Sequence, residues 1–323
     1  MPDATELQTG HLHWGAESLW QEIEPLLPGF SVEVVARCDS TNTQLLERAR
    51  RSGGRRDTPI TGPGEFDGGP ASPLVTQPPP MPYGRRADDT QPCLLVAEHQ
   101  SRGRGRMGRP WQASAGASLT FSLSLSLEPM DWSGLSLAVG VALADALDPP
   151  SEQGERGRGH RIGLKWPNDL WLLEAPGRGR KLGGILIETV AVGSRRMAVI
   201  GVGLNVLPQP TRDLSSGYAC LQELDARISA PEALRRVARP LVLAMQRFER
   251  KGFGAFAARF AARDLLAGHP VTTTSPEVPE GVADGVATDG SLRVRHGGQV
   301  HLLSSAEVSV RVQGDDTPSV PLP

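Results

Sequence analysis

The chain has 323 residues, a formal net charge of −2 and a sequence pI of about 6.4. Its length allows a sizeable core in one or two domains, and its charge argues against a nucleic-acid-binding surface, which usually makes a domain basic. The three cysteines lie far apart, and the sequence contains neither a membrane-length apolar run nor a signal peptide. These features predict a reduced, cytoplasmic protein that has no disulfide framework and no membrane partner.

The N-terminal third combines short elements with one long polar insertion. Periodicity predicts a helix over residues 13–27, a strand over 30–35, a helix over 41–51 and a strand over 93–98. Residues 51–92 are rich in Gly, Pro and Arg and contain too few apolar side chains to form a core. We therefore expect this insertion to be disordered.

A glycine-arginine loop follows, in which residues 102–109 contain four arginines and three glycines. The glycines match the G-x-G-x-x-G dinucleotide fingerprint, which requires a following helix. Residues 117–127 instead alternate strictly between apolar and polar side chains, which predicts a strand. The loop therefore fits a mobile segment that closes over a small polyanion, with a solvated basic loop or a nucleic-acid patch as the alternative.

The middle of the chain is predicted to mix strands and helices. The predicted elements are a helix over 133–147, a second Gly/Arg-rich insertion at 149–161, a strand that carries Lys165, strands over 182–190 and 197–202, and helices over 231–249 and 253–264. Ser229 and Pro231 are a suitable start for the first of these last two helices, and Pro240 lies inside it.

The C-terminal part changes to short alternating segments at residues 270–274, 281–287, 291–294 and 300–303. Glycine-containing turns separate them, which is typical of a small all-β barrel. The alternative is a β appendage without a function of its own. The predicted fold class is therefore α+β, a mixed sheet with helices plus a small barrel.

Lysine is rare, and only three of the 34 basic residues are lysines. Lys165 opens the segment Lys-Trp-Pro-Asn-Asp, and Lys181 lies in Arg-Lys-Leu-Gly-Gly-Ile, whereas Lys251 is in a stretch typical of a solvated helix end. Lys is a compact charge with a tunable pKa and does not replace Arg at a reacting phosphate or carboxylate. Lys165 and Lys181 are therefore candidates for chemistry.

Five motifs in order resemble those of the biotin protein ligases, also called biotin--[acetyl-CoA-carboxylase] ligases. They are Asp39-Ser40-Thr41-Asn42, Gln100 with residues 103–111, residues 165–169, residues 180–185, and Gly201-Val202-Gly203-Leu204-Asn205. The resemblance covers residues 33–265 well and 266–314 more weakly. It implies a short N-terminal extension at 1–29, a class II synthetase-like biotin/lipoate ligase catalytic domain at 30–266, an SH3-like C-terminal domain at 267–314 and a disordered tail at 315–323.

The resemblance implies activation of biotin with ATP and Mg²⁺ as biotinoyl-5′-AMP, followed by transfer to a lysine of the biotin carboxyl carrier protein of acetyl-CoA carboxylase. Alternatives are a lipoate or octanoate ligase and a non-catalytic biotin sensor. About thirty residues precede the first predicted strand. They are too few for the winged helix-turn-helix of some members, so we expect no DNA partner. The expected assembly is a monomer or a homodimer.

The resemblance also implies site residues. The implied biotin contacts are Ser40, Thr41, Asn42, Gln100, Gly103, Arg104, Gly105, Arg106 and Lys181. The implied ATP contacts are Arg106, Arg109, Trp111, Lys165, Asn168 and Asn205. The implied catalytic residues are Lys181, Arg106 and Asp169, and Asp169 either binds Mg²⁺ or helps to deprotonate the incoming amine. Three simpler interpretations stay open: Ser40 as a helix cap, residues 166–169 as a turn, and Trp111 as a core residue.

Overall fold

A computed structural model describes residues 12–54, 90–149, 160–209, 216–304 and 310–312. The greater part of both predicted insertions, and the predicted tail at 315–323, lie outside these residues. The helices are α1 (Ala16–Ile23), α2 (Thr41–Gly54), α3 (Leu135–Leu147), α4 (Ala230–Lys251) and α5 (Ala257–Ala261). The strands are β1 (Ser31–Cys38), β2 (Cys93–Gln100), β3 (Ser118–Ser126), β4 (Ile162–Lys165), β5 (Asp169–Ala175), β6 (Arg178–Val192), β7 (Arg195–Asn205), β8 (Pro270–Thr273), β9 (Glu280–Val286), β10 (Leu292–His296), β11 (Gln299–Leu303) and β12 (Val310–Val312).

A seven-stranded mixed sheet forms the larger part of the molecule, with the order β1-β2-β3-β7-β6-β5-β4. β1 and β2 are parallel, and the other neighbouring pairs are antiparallel. The alternating sequence of β3 places Phe121 and Leu123 in the main core, which the apolar helix α3 and the amphipathic helix α4 share. Its Ser/Thr face is turned toward α2, and nearly the whole strand is buried. One face of the sheet thus forms the main core, and the other carries α2, a small apolar cluster with Leu45 and Leu46, and the polar side chains of β3.

A second, antiparallel sheet has the order β11-β10-β9-β8-β12. It confirms the predicted all-β C-terminal part, to which it adds β12, a strand too short to show in the sequence. Val271, Leu292 and Val294 belong to the same hydrophobic cluster as Leu164 and Trp166. The two sheets are therefore joined by continuous apolar packing. Among the described residues, no helix combines the length and apolarity needed to cross a membrane.

Several predicted boundaries were wrong. The helix predicted at 253–264 is instead a 3₁₀ turn at Phe253–Ala255 followed by the five-residue α5, and Gly252 and Gly254 disfavour a continuous helix there. The predicted helix at 13–27 is limited to α1, and α2 continues to Gly54, inside the predicted insertion.

Lys181 was expected to open its strand but lies within β6. The turn between β5 and β6 is at Gly177, which has a φ of 70°, so β6 begins three residues before Lys181. β5 was not predicted, because Pro167 and Asn168 indicate a turn and the prediction ended with that turn. Ser229 caps α4 as predicted, since its hydroxyl accepts a hydrogen bond from the Glu232 amide at 3.3 Å.

Candidate active site

Two glycines on β7 determine how closely other segments approach the sheet. Gly201 and Gly203 lie on the same face because side-chain directions alternate along a strand. A Cβ at Gly201 would come within 2.3 Å of Asn42 Oδ1, and a Cβ at Gly203 within 2.4 Å of Trp111 Cε2. Each glycine therefore lets a distant side chain lie directly against the backbone of the sheet.

Thr41, Asn42, Gln100, Ser122 and Glu188 form a hydrogen-bonded group that we call the polar cluster. Gln100 Oε1 accepts from the Thr41 backbone N–H at 2.8 Å. The Ser122 hydroxyl lies 2.6 Å from Asn42 Oδ1 and 2.7 Å from Thr41 Oγ1. Asn42 Oδ1 can only accept, so Ser122 donates its single hydrogen there, and Thr41 is left to donate to Ser122 or Gln100. The cluster thus has a defined pattern of donors and acceptors.

Glu188 connects the polar cluster to the glycine-arginine loop. Asn42 Nδ2 donates to the Leu186 carbonyl at 3.2 Å and to Glu188 Oε2 at 3.0 Å. Arg104 Nη2 donates to both carboxylate oxygens of Glu188, at 3.0 and 3.2 Å. The predicted meeting of Asn42, Gln100 and the loop therefore occurs, and Glu188 lies between them.

Ser122 and Glu188 were not among the predicted site residues. The sequence signal for Ser122 is a strand whose polar positions are all Ser or Thr although both of its faces are buried. For Glu188 the signal is an acidic residue within a mainly apolar strand. Both residues support their predicted neighbours through hydrogen bonds.

Ser40 lies at the start of α2. It is buried, its backbone N–H donates to Asp39 Oδ1 at 2.7 Å, and its carbonyl accepts the Gln44 N–H at 3.0 Å. This is the backbone position of a helix N-cap, and it places Ser40 beside Thr41.

The glycine-arginine loop folds back on itself. The Trp111 N–H donates to the Gly103 carbonyl at 2.8 Å, and the Gly105 N–H donates to the Arg109 carbonyl at 2.7 Å. A Cβ at Gly103 would come within 2.5 Å of the Trp111 carbonyl oxygen, so this contact requires glycine. Gly108 has a φ of 71° at the end of a short 3₁₀ turn. The strand predicted to follow the loop is present as β3, and the dinucleotide-fingerprint interpretation is excluded.

Lys165, Asn168, Asp169, Lys181 and Arg106 form a second group, the charged cluster. Lys181 Nζ lies 2.8 Å from Asp169 Oδ1, and these side chains are 28% and 22% exposed. Arg106 Nη1 donates to Asn168 Oδ1 at 3.4 Å, and Asn168 Nδ2 donates to the Ile185 carbonyl at 2.7 Å. The turn predicted at 166–169 is present at 166–168, and the two lysine-containing segments, with Lys165 and with Lys181, meet there.

The charged cluster has more positive than negative charge. Lys165 is 9% exposed, and its Nζ lies 4.2 Å from the centre of the Trp171 ring, a cation–π contact. Burial lowers the pKa of Arg106 from its ordinary value, Asp169 opposes the change, and Arg109 adds to it. Lys181 pairs with Asp169, Arg106 is affected by its charge, and Lys165 lies opposite Asp169 in the β4–β5 pair. Three cations near one carboxylate suit an anionic ligand.

Asn205 and Trp111 both lie next to the charged cluster. Asn205 contacts the backbone of Lys181, and Trp111 lies against Gly203. Asn205 Nδ2 donates to the Lys181 carbonyl at 3.3 Å and to the Ala219 carbonyl at 2.9 Å, so Asn205 fixes the backbone of Lys181. The Trp111 indole N–H is buried and has no hydrogen-bond partner among the described residues. The Trp111 side chain is only partly buried, and its ring lies against Gly203.

The two clusters are neighbours on the sheet. Gly201 pairs with Ser122 and Leu186, next to the polar cluster. Gly203 pairs with Gly184, whose added Cβ would lie 3.5 Å from Asp169 Oδ1 and 3.6 Å from Lys181 Nζ. A step of two residues on a strand is about 7 Å, so the clusters lie within the span of one small molecule.

The comparisons with known proteins agree with this geometry. The model of the biotin/lipoate A/B protein ligase family matches residues 85–205. The chain is 31% identical over 307 residues to the biotin--[acetyl-CoA-carboxylase] ligase of Mycobacterium tuberculosis, covering 91% of each protein. It is 31% identical over 222 residues to the bifunctional ligase/repressor BirA of Salmonella typhimurium, covering 67% of this chain and 66% of that protein. The biotin protein ligase from Aquifex aeolicus in complex with biotin and ATP has a similar fold, with a TM-score of 0.59, 21% identity and coverage of 87% and 98%.

The mixed seven-stranded sheet, the small second sheet and the family model place the protein among the biotin/lipoate ligases, a class of enzymes. The alignment along most of the Mycobacterium enzyme then shows that the chain belongs to the biotin protein ligase family. The family expected from five separate motifs is confirmed.

Proposed function

We propose that the protein uses ATP to activate biotin as biotinoyl-5′-AMP and then biotinylates a lysine of the biotin carboxyl carrier protein of acetyl-CoA carboxylase. The observation that carries this proposal is the position of the polar cluster, of which Thr41, Asn42, Gln100 and Ser122 are neutral, next to a cation-rich cluster on one sheet face. Biotin has a neutral polar head group at one end and a carboxylate at the other. Since ATP is a cytoplasmic substrate, we place the reaction in the cytoplasm.

The polar cluster would bind the biotin head group. Thr41, Asn42 and Gln100 carry amide and hydroxyl groups that can both donate and accept, as an uncharged ureido ring requires. Ser40 lies beside them, and the loop residues Gly103, Arg104, Gly105 and Arg106 would cover the ligand. The contact of Arg104 with Glu188 already holds this part of the loop next to Asn42.

The charged cluster would bind the reacting groups. One oxygen of the biotin carboxylate attacks the α-phosphorus of ATP, the bond to the β-phosphate oxygen breaks, and pyrophosphate leaves. Lys181 would bridge the carboxylate and the α-phosphate, since a preorganised cation stabilises charge that develops in the transition state. Asp169 holds Lys181 Nζ in place at 2.8 Å. Arg106 and Arg109 would contact the phosphates.

Lys165, Asn168, Trp111 and Asn205 would complete the ATP side. Lys165 adds a buried positive charge, and the free indole N–H of Trp111 adds a donor beside Gly203. Asn205 would act mainly through the backbone of Lys181, because its amide group donates to two carbonyls. Asn168 would orient Arg106 through its side-chain oxygen.

Magnesium would enter this site together with ATP. Among the described residues, no group of three or more His, Cys, Asp or Glu side chains is arranged to hold a metal ion. Asp169 is the carboxylate of the charged cluster, so it can supply one ligand while phosphate oxygens supply others. Bound there, Mg²⁺ would neutralise phosphate charge.

The second half-reaction transfers the acyl group. The carrier lysine amine attacks the acyl carbon of the adenylate, the bond to the phosphate oxygen breaks, and AMP leaves. Asp169 would help to remove the amine proton. Closure of residues 103–111 would exclude water from the labile adenylate until the carrier arrives. An Arg106→Gly variant should therefore release biotinoyl-5′-AMP and label a bystander protein.

We also propose that residues 30–266 act as the catalytic domain and residues 267–314 as a separate C-terminal domain. The change from the mixed sheet to the second, antiparallel sheet near residue 268 supports this division.

ATP–pyrophosphate exchange by the purified protein tests the first half-reaction. Biotin, lipoate, octanoate and no acid are supplied in parallel. Exchange with biotin alone is expected. Exchange with lipoate or octanoate would move the activity to the sister class of ligases, and tight biotin binding without exchange would make the protein a sensor.

A further inference from the structure

The second sheet contacts a buried tryptophan, Trp166, that lies next to the charged-cluster residue Lys165 in the sequence. Trp166 lies in the turn between β4 and β5 and is 1% exposed. Its indole Nε1–H donates to the Gly290 carbonyl at 3.0 Å, and the bond is buried. Gly290 lies in the turn between β9 and β10 of the C-terminal sheet. One hydrogen bond thus joins the C-terminal sheet to Trp166, the residue directly after Lys165.

The same turn of the C-terminal sheet is held tightly from the other side. Gly290 has a φ of 83°, and a Cβ there would come within 2.7 Å of Gly134 Cα at the start of α3. Two residues further along the chain, in α3, the Ser136 hydroxyl donates to the Pro167 carbonyl at 3.0 Å. Trp166 and Pro167 are therefore fixed by two neighbouring elements that also contact each other.

The segment that leads into the C-terminal sheet supports the neighbouring strands. The Leu164 N–H donates to the Arg263 carbonyl at 2.7 Å, and the Leu265 N–H donates to the Leu164 carbonyl at 3.0 Å. This pairing covers the free edge of β4. The turn between β5 and β6 lies against His269, whose ring would be 2.5 Å from a Cβ at Gly177. Residues 263–269 thus contact β4 and the β5–β6 hairpin, which carry three of the five charged-cluster residues, Lys165, Asp169 and Lys181.

We propose that the C-terminal sheet positions the charged cluster, and that the hydrogen bond from Trp166 to Gly290 is the contact through which it does so. Asn168 and Asp169 follow Trp166 by two and three residues, so a shift of the turn moves both relative to Arg106 and Lys181. Trp166 and Gly290 are positioning residues, since neither belongs to the charged cluster. The effect on catalysis rests on the proposed function.

Two substitutions break this bond from opposite sides. Trp166→Phe keeps an aromatic ring but removes the donor, and Gly290→Ala forces the turn away from α3 because of the contact with Gly134. Trp20→Phe is the matched control, because its Nε1–H also donates to a backbone carbonyl, that of Phe30, at 3.0 Å. Trp20 lies in α1, outside both clusters, so the control loses an equivalent bond without a positioning role.

The expected result is a separation of kinetic constants. A misplacement of about 1 Å can cost on the order of 10²-fold in rate, and we expect about a tenfold lower kcat for ATP–pyrophosphate exchange in Trp166→Phe and Gly290→Ala. The Kd for biotin should stay close to that of the wild type, since its head group is assigned to the polar cluster. Trp20→Phe should keep the wild-type kcat. The double variant should be no slower than the slower single variant, because both changes remove one contact.

Three results would overturn the proposal: an unchanged kcat in both folded variants, an equal loss of kcat in Trp20→Phe, or fully additive losses in the double variant. Amide hydrogen exchange of residues 164–170 gives a readout that needs no activity. It should become faster in Trp166→Phe and Gly290→Ala and stay unchanged in Trp20→Phe. If the wild type shows no exchange with biotin, the proposed function fails, while the hydrogen-exchange result still decides whether the C-terminal sheet positions this turn.

Discussion

The polar cluster and the charged cluster lie about two residues apart on β6 and β7, yet they differ in burial. Thr41 and Asn42 are each 3% exposed and have hydrogen-bond partners for their polar groups. The side chains of Lys181 and Asp169 are 28% and 22% exposed. Neutral groups can be buried at little cost when they are paired, whereas buried ions lose much more solvation. The polar cluster can therefore be prepared before the ligand arrives, and the charged cluster is completed by ligand anions.

This difference implies different consequences of mutation. In the polar cluster, a change should mainly weaken the binding of biotin, because the cluster makes the same hydrogen bonds before and during the reaction. In the charged cluster, a change should mainly lower the rate, because charge develops there only in the transition state.

Lys181→Ala should give the largest effect. We expect kcat for ATP–pyrophosphate exchange to fall roughly 10²- to 10³-fold, the usual loss when one preorganised charge-stabilising group is removed. The Kd for biotin should change much less. Lys181→Arg should not restore the rate, because a planar guanidinium cannot occupy the position of Nζ beside Asp169. A Lys181→Ala enzyme with normal kcat would remove Lys181 from the mechanism.

The sequence predicted the residues of the charged cluster better than the contacts that position them. Lys165 and Lys181 stood out because lysine is rare, and Asn168 and Asp169 belong to the motif that begins with Lys165. The contact of Trp166 with Gly290 could not be predicted, because it joins residues that lie far apart in the sequence and neither local pattern indicates the other. For the same reason the sequence showed Gly201 and Gly203 only as part of a motif. Their role depends on which distant side chains reach β7.

Gly201→Ala and Gly203→Ala sharpen the comparison, since the two positions face different clusters. The new methyl group at 201 would displace Asn42, and that at 203 would displace Trp111. Gly201→Ala should raise the Kd for biotin by roughly 10- to 100-fold, since it breaks hydrogen bonds to buried groups that cost about 1–3 kcal/mol when left unpaired. Gly203→Ala should instead raise the KM for ATP. Isothermal titration with biotin and steady-state kinetics measure these effects.

Gly254→Ala is the control for both glycine substitutions. A Cβ at Gly254 would meet no atom within 4 Å, so biotin affinity and KM should both stay at their wild-type values. Equal effects of Gly201→Ala and Gly203→Ala on biotin affinity would show that the two clusters are not separate.

Asp264, which lies against β4, should make the stability of the folded protein depend on pH. It pairs with β4 at Leu164, its Oδ2 is buried without a hydrogen-bond partner among the described residues, and burial raises its pKa from 3.8 to about 6. The folded state therefore holds this proton more tightly than the unfolded state. The resulting stability is complete below about pH 4 and is lost as the pH rises through about 6.

Asp264→Asn removes this titration. Between pH 4 and pH 7 the wild type should lose roughly 2–3 kcal/mol of unfolding free energy relative to the variant, following a shift of this direction and size. Urea unfolding at both pH values measures the change. Asp225, a partly exposed carboxyl that pairs with Arg236, supplies the contrast. The hydrogen bond from Arg236 lowers its pKa, so Asp225→Asn should become less stable relative to the wild type as the pH rises. Parallel pH curves for wild type and Asp264→Asn would contradict the prediction.

The smallest expected effect concerns Glu188, which belongs to the polar cluster but carries a charge. Its ion pair with Arg104 is 28% and 42% exposed, and such pairs are worth about 0–1 kcal/mol. Glu188→Gln keeps an oxygen for Asn42 but turns an amide donor toward Arg104, so it should release the loop without disturbing the head-group contacts. We expect biotin to dissociate severalfold faster at an unchanged association rate, as stopped-flow measurements can show.

Arg104→Gln approaches the same pair from the loop. It should give a similar dissociation rate, and the double variant should be no worse, because a single contact has been removed. High salt should bring the wild type toward the variants, since exposed ion pairs are screened. If Glu188→Gln instead weakens binding as strongly as Gly201→Ala, the role of Glu188 in holding Asn42 outweighs its role in holding the loop, and the polar cluster depends on a charge after all.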